Sequence, residues 1–336
     1  MSTFLTGGVF MNTKIYIVIT GLLLLISFMT ACGSDTAVTS VTTPTPTGMP
    51  SMVSITGGTF NMGSTISTSE QPVHKVTVSS FRMFKYEVTN SEYLLFLNSQ
   101  GNQTEGGVRW INIVEDYYQG IRGGPDAGTF SVKSGYESRP VVYVSWYGAV
   151  AYCNWLSERH GLTPCYGPIN NRGDDPSVWR TLNGYRLPAE AEWEYACRGG
   201  NTADYYWGES SPSPASIAKY SWYWDNAEEG YENEVNPNDH GAGKRNCHIA
   251  GQKLPNAFGL YDMSGNVWEW CSDWNSTTYY GVSPDTNPAG PGSGTLRVMR
   301  GGSWHSTSEF CRSACRNCLA PDYYLNCLGF RPVRNY

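Results

Sequence analysis

The chain has 336 residues, 40% of them hydrophobic, and a formal net charge of −6. That is enough apolar material to bury a sizeable core, as one large domain or two small ones. A negative total without any long basic run excludes nucleic acid as an expected partner. Thirty-seven glycines, nineteen prolines and 14% aromatics suit a loop-rich body and not a helical bundle.

Lys14 precedes an apolar run, Ile15 to Met29, that closes on Met29-Thr30-Ala31-Cys32-Gly33-Ser34. The run is too short and too one-sided for a comfortable membrane span. Residues 1–31 read as a signal peptide, with Met11 as a second candidate start. The pattern at Cys32 resembles a bacterial lipoprotein signal, in which this cysteine becomes the lipidated first residue. An ordinary cleaved signal with an incidental cysteine is the alternative. From Cys32 to residue 52 the chain is Thr, Val, Ser and Pro with no charge beyond Asp35, a composition that reads as a flexible tether. Several acyl chains at Cys32 would hold the folded body firmly outside a membrane, at the outer membrane or cell surface.

Three helices are predicted next. Thr89-Asn90-Ser91-Glu92 is a capping box, since Thr89 and Glu92 can each satisfy an orphan N–H, and it opens a run through Leu97. Ser145 caps a second helix, Trp146 to Leu156, with Ala149, Val150, Cys153 and Trp155 as one buried stripe. Pro188 sits at the first position of a third, Ala189 to Cys197, where Glu190 and Glu192 suit the positive helix end. Strand composition marks Val76 to Phe84 and Arg297 to Met299.

Motifs run the length of the body. They are Gly57-Gly58-Thr59-Phe60-Asn61-Met62-Gly63, Val88-Thr89-Asn90, Pro140-Val141-Val142-Tyr143-Val144-Ser145-Trp146, and Gly184-Tyr185-Arg186-Leu187-Pro188 leading to Glu194. Asn256-Ala257-Phe258-Gly259-Leu260-Tyr261-Asp262 continues to Trp270, and the tail adds Arg300-Gly301-Gly302-Ser303-Trp304 and Leu328-Gly329-Phe330-Arg331. Together, over residues 53–336, they resemble the formylglycine-generating enzyme (sulfatase-modifying factor) family. The resemblance implies an α+β, C-type lectin-like fold of that family's type, loop-rich with short strands and the three helices above.

In that family the stretch matching Asp262 to Glu269 supplies a calcium site. Carried over, Asp262 and Glu269 would bind by side chain, and Gly265 and Val267 by backbone carbonyl. Oxygen donors of this kind suit a hard divalent cation, and two carboxylates nearly balance its charge. Glu269, between Trp268 and Trp270, also reads as a general base or as a turn cap without metal. The family's second calcium site falls near Lys219 and Tyr220, which depart from its pattern, so none is expected there.

The family oxidises a substrate cysteine with a Cys-x4-Cys pair beginning three residues after the serine of Gly-Gly-Ser. Ser306 and Cys311 hold those positions here. Two thiolates are what a soft copper ion needs, and a serine hydroxyl is a hard, weakly acidic donor. No copper is therefore expected, and no catalytic residue is assigned.

The segment of about 300–331 also resembles the variable segment of proteins encoded by diversity-generating retroelements, in which Asn codons scatter over a fixed frame. Frame residues would be Cys311-Arg312-Ser313-Ala314, Arg316-Asn317, Pro321-Asp322 and Leu328 to Arg331. Trp, Met, Gln and Lys, which an AAC codon cannot yield by changes at its first two bases, are absent between His305 and Cys327. Glu309 would then be fixed. The expected ligand-binding residues are His305, Ser306, Ser308, Phe310, Cys315, Cys318, Leu319, Ala320, Tyr323, Tyr324, Leu325, Asn326 and Cys327. Tyrosine offers large contact area at little entropic cost, so Tyr323, Tyr324 and Phe310 are the expected anchors.

Ten cysteines are present, and lipidation of Cys32 would leave an odd number. Export permits disulfides without requiring them. Cys153 and Cys197 fall where the family places bridging cysteines, but the position of the partner of Cys153 holds Pro332. Cys311, Cys315 and Cys318, with His305 and Cys327, match no known zinc spacing. The expected function is a lipid-anchored protein binding an unidentified protein or surface ligand through its tail. A sulfatase-modifying oxidoreductase is the alternative, and a structural envelope lipoprotein the third reading.

Overall fold

The computed structural model describes residues 50–114, 117–124, 126–170, 175–228 and 245–336. The signal peptide, Cys32 and nearly all of the expected tether lie outside the described residues. The first strand begins at Met52, inside the expected tether, and pairs with Phe84.

Two four-stranded sheets organise the body. One runs Met52–Ile55, Phe81–Phe84, Val333–Arg334, Tyr185–Arg186, and so joins the first and last strands of the domain. The other runs Arg316–Leu319, Arg297–Arg300, Trp268–Trp274, Leu328–Gly329. Its last pair is parallel, Trp268 against Leu328. The tail therefore leaves the sheet at Arg300, returns on one side as Arg316–Leu319, and closes on the other as Leu328–Gly329. Residues 301–315 and 320–327 become loops hung from one sheet.

All three predicted helices form, as Asn90–Gln100, Trp146–Arg159 and Glu190–Arg198. The first carries its capping box, with the Thr89 N–H bonded to Glu92 at 2.8 Å. Ser145 caps the second, its hydroxyl accepting the Gly148 N–H at 3.1 Å. The third begins later than expected: Ala189 is the cap residue, so Pro188 precedes the helix instead of opening it. Two one-turn helices, Pro176–Trp179 and Pro214–Ile217, were not predicted, because a single turn carries no apolar period. The expected strand Val76 to Phe84 is two, His74–Val78 and Phe81–Phe84. Ser79 and Ser80 break it by bonding Asn287 and Gly57, and the halves join different sheets.

Buried charge is extensive. Arg186 bonds Glu192, and Arg300 bonds Glu194. Asp273 accepts the Glu190 N–H at 2.8 Å, yet burial and the neighbouring Glu190 charge push its carboxyl up to about 7 from a usual 3.8. Between those values the folded state holds a proton that the unfolded chain has lost, so this group's contribution to stability falls as pH rises and levels off above about 7. Glu70 and Glu192, held low by Arg312 and Arg186 against the cost of burial, act oppositely and lose stability in acid. We expect Asp273→Asn to be near neutral at pH 4 and stabilising at pH 8, by on the order of a few kcal/mol, the gain accruing below about pH 7. Urea titrations at both pH values read this directly, and a gain of equal size at pH 4 would contradict it.

Candidate functional site

The tail is pinned before it is exposed. Gly302 adopts φ +74°, and a Cβ there would lie 2.8 Å from the Phe310 carbonyl oxygen and 3.0 Å from Cys311 Sγ. Trp304 is fully buried, stacks on Tyr118 at 5.1 Å and donates its indole N–H to the Asn326 carbonyl. Arg312 grips Glu70 through two nitrogens at 2.8 and 2.7 Å. Arg316 grips Glu190 likewise, at 2.7 Å for each bond. Bidentate pairs of this kind fix direction as well as distance. Pro321 gives its carbonyl to the Trp146 N–H at 3.0 Å, and Leu325 gives its carbonyl to Tyr143 at 3.0 Å. Tyr143 itself sits at φ +61°, an uncommon place for an aromatic residue.

Between the pins, His305, Phe310 and Tyr323 stand exposed, the last two at 43% and 59%. Ser308, Cys318, Leu319, Ala320, Tyr324, Leu325 and Asn326 are half-buried. Tyr324 donates its hydroxyl to the Arg109 carbonyl at 2.6 Å, while Leu319 and Leu325 pack on the core edge. Ser306, Cys315 and Cys327 do not belong to the exposed face. The Ser306 hydroxyl closes a turn onto Ser303 at 3.0 Å, Cys315 lends its carbonyl to Arg300, and Cys327 lends its carbonyl to the Trp268 N–H at 2.8 Å. Of the expected frame, Cys311 to Ala314 are buried, but Asn317 is exposed. Trp224, edge-on to His305 at 5.3 Å, and Trp268, 6.5 Å from Phe310, were missed. They come from distant segments, and no local pattern announces them.

Residues 38–336 match the family described as "Sulfatase-modifying factor enzyme 1-like domain". The chain belongs to that family. It is 31% identical to the formylglycine-generating enzyme of Streptomyces coelicolor over 85% of this chain and 90% of that one. It is also 31% identical to a protein of Paenibacillus barcinonensis named chaperone protein LppX, over 84% and 89%. Among solved structures, Treponema denticola variable protein 1 superposes with a TM-score of 0.61 at 28% identity, covering 85% of this chain and 95% of that one. PvdO from Pseudomonas aeruginosa does so at 0.60 and 27%, with the same coverage. The expected fold class is thereby shown: mixed, loop-rich and C-type lectin-like.

The sulfatase-modifying chemistry needs two thiolates beside Ser303, and the donors present do not fit it. Ser306 supplies a hydroxyl where the first sulfur belongs. Burial pushes the Cys311 thiol up to about 12, and burial likewise pushes Cys327, beside Ser303, up to about 11. Without a bound metal both thiols are protonated near neutrality and poor as nucleophiles. None of the nine cysteines of the described residues is joined in a disulfide, and among them only Cys318 is not buried. We expect native protein to react with a thiol reagent once among these nine, and Cys318→Ser to abolish that rapid phase. Rapid reaction at a second described cysteine would contradict the packing.

Of the calcium set expected from the family resemblance, both carboxylates already have protein partners. Glu269 has no oxygen to spare: Arg331 holds it at 2.7 to 3.1 Å, and the Trp193 indole N–H donates to it at 2.8 Å. Asp262 gives one oxygen to the Gly251 N–H at 2.6 Å, while its other oxygen and one of Glu87 are buried without a protein partner. Burial, assisted by the charge of Asp262, raises the Glu87 carboxyl well above its usual range. Among the described residues no group of three or more His, Cys, Asp or Glu side chains is placed to hold a metal. Gly265 and Val267 lie buried in the same turn and strand lead.

Proposed function

We propose that this chain is a binding protein that presents a changeable ligand surface from its C-terminal segment, held at a cell surface by a lipid on Cys32. The observation that carries this reading is the split within one short segment. Arg312, Arg316 and Trp304 are clamped inward, while the side chains of His305, Phe310 and Tyr323 are exposed. Exposed aromatics on a rigid frame are the chemistry of recognition. The likeness to a protein named a variable protein supports it. The ligand class is a protein or other surface macromolecule, and Trp224, half-buried beside His305, extends the face beyond the tail.

The test is the coding locus in related strains. Substitutions confined to the outward positions, beside a reverse transcriptase gene and a near-copy template, are expected; uniform drift over the chain would overturn the reading. Kinship with formylglycine-generating enzymes favours one competitor, an oxidase of cysteine-containing peptides. Stoichiometric tight copper(I) binding with turnover of such a peptide would establish that competitor instead.

A further inference from the structure

We propose a second ligand site, independent of the tail, that takes a neutral saccharide. It is a cleft of about 620 Å³ between the hairpin Gly58–Met62 and His74–Val78 and the C-terminal end of the helix Glu190–Arg198. Its size falls in the range of small-ligand pockets, about 300–1,000 Å³.

The aromatic wall is built and fixed. Tyr195, half-buried, donates its hydroxyl to the Thr56 carbonyl at 3.0 Å. Phe60 meets the ring edge-on at 5.4 Å, and Phe258 tilts against it at 5.9 Å. A Cβ on Gly58 would fall 2.6 Å from the Tyr195 hydroxyl, so glycine in mid-strand is what lets the ring lie there. A ring held on three sides offers a flat apolar face at little further entropic cost.

The cleft is also lined by short neutral groups, Asn61, Thr65, Asn201 and Thr202. Each both donates and accepts, as a hydroxyl-bearing ligand requires. Charge does not select the ligand. Arg198 is already spent on Glu194 at 2.9 Å and on the carbonyls of Gly63 and Ala203 at 3.1 Å. Lys75 and Asp204, of opposite sign, offset one another among the lining residues. An apolar ring face beside uncharged hydrogen-bonding groups matches a pyranose, whose C–H face and hydroxyl rim present the same division.

None of the lining residues lies in the tail, yet the two sites share a skeleton. Ser64 of the cleft bonds Glu70, which carries Arg312, and the Asp204 carbonyl accepts the Ser313 N–H at 2.8 Å. The cleft thus rests on the clamped part of the segment, and its specificity stays constant while the exposed part changes.

Saturation-transfer NMR of the full chain with cellobiose, galactose and galacturonate tests this. Expected is saturable millimolar binding of at least one neutral sugar, weakened at least about tenfold by Tyr195→Ala and by Asn61→Ala and kept by Tyr195→Phe. Asn61 is exposed, so its loss does not threaten the fold. Phe310→Ser with Tyr323→Ser leaves this binding unchanged, which separates the cleft from the tail reading. No saturable binding, indifference to Tyr195→Ala and Asn61→Ala, or tighter binding of galacturonate than of galactose would overturn the assignment.

Discussion

Trp304→Ala is expected to lower the unfolding free energy by about 3–5 kcal/mol, whereas Phe310→Ser with Tyr323→Ser is expected to cost under about 1 kcal/mol. All three are large aromatics of one segment, so hydrophobicity alone would rank them together. What separates them is place. Trp304 has no exposed surface and stacks on Tyr118, so truncation leaves a cavity and frees the Asn326 carbonyl. Phe310 and Tyr323 already face water, and serine gives up little. The same contrast predicts that a library randomised at His305, Ser308, Phe310, Tyr323 and Asn326 stays folded. Displayed and selected on an unrelated protein such as lysozyme, it yields binders whose aromatic positions each contribute about 2 kcal/mol or more on truncation. If exposed and buried replacements destabilise alike, the tail is core and the binding proposal fails.

Arg331→Ala is expected to be the most damaging single change outside the aromatic core. The guanidinium is fully buried, holds both Glu269 oxygens, and also donates to the carbonyls of Phe84, Lys85 and Tyr261. Removing it leaves Glu269 buried with only the Trp193 N–H, a situation that costs about 3–5 kcal/mol. Against a typical margin of about 5–15 kcal/mol, that puts the domain near its threshold. The double change Arg331→Met with Glu269→Leu is expected to recover much of the loss, because neither charge then remains unpaired. Urea unfolding of the wild type, Arg331→Met, Glu269→Leu and the double variant completes the cycle. A cost below about 1 kcal/mol for Arg331→Ala, typical of a surface pair, would show that Glu269 has another partner.

Where the sequence reading went astray, the cause is the same each time. Glu269 carries nothing locally that announces its ion pair; Arg331, far along the chain, supplies it. Ser306, Cys315 and Cys327 sit among exposed neighbours in sequence and turn inward because Ser303, Arg300 and Trp268 take their polar groups. Val76 to Phe84 has unbroken strand composition, and only the placement of Ser79 and Ser80 between two sheets divides it.

By itself the sequence determined what is local or linear: the capping box at Thr89, the Ser145 cap, the ordered motifs that carry the family, and the hydroxyl at Ser306. These follow from neighbours within a turn or two, or from residue type alone. Only the tertiary structure decided which tail residues face water, which arginine neutralises which buried glutamate, and that a cleft forms beside Tyr195. Each of those depends on groups brought together from opposite ends of the chain, where burial sets the energy of every charge and ring.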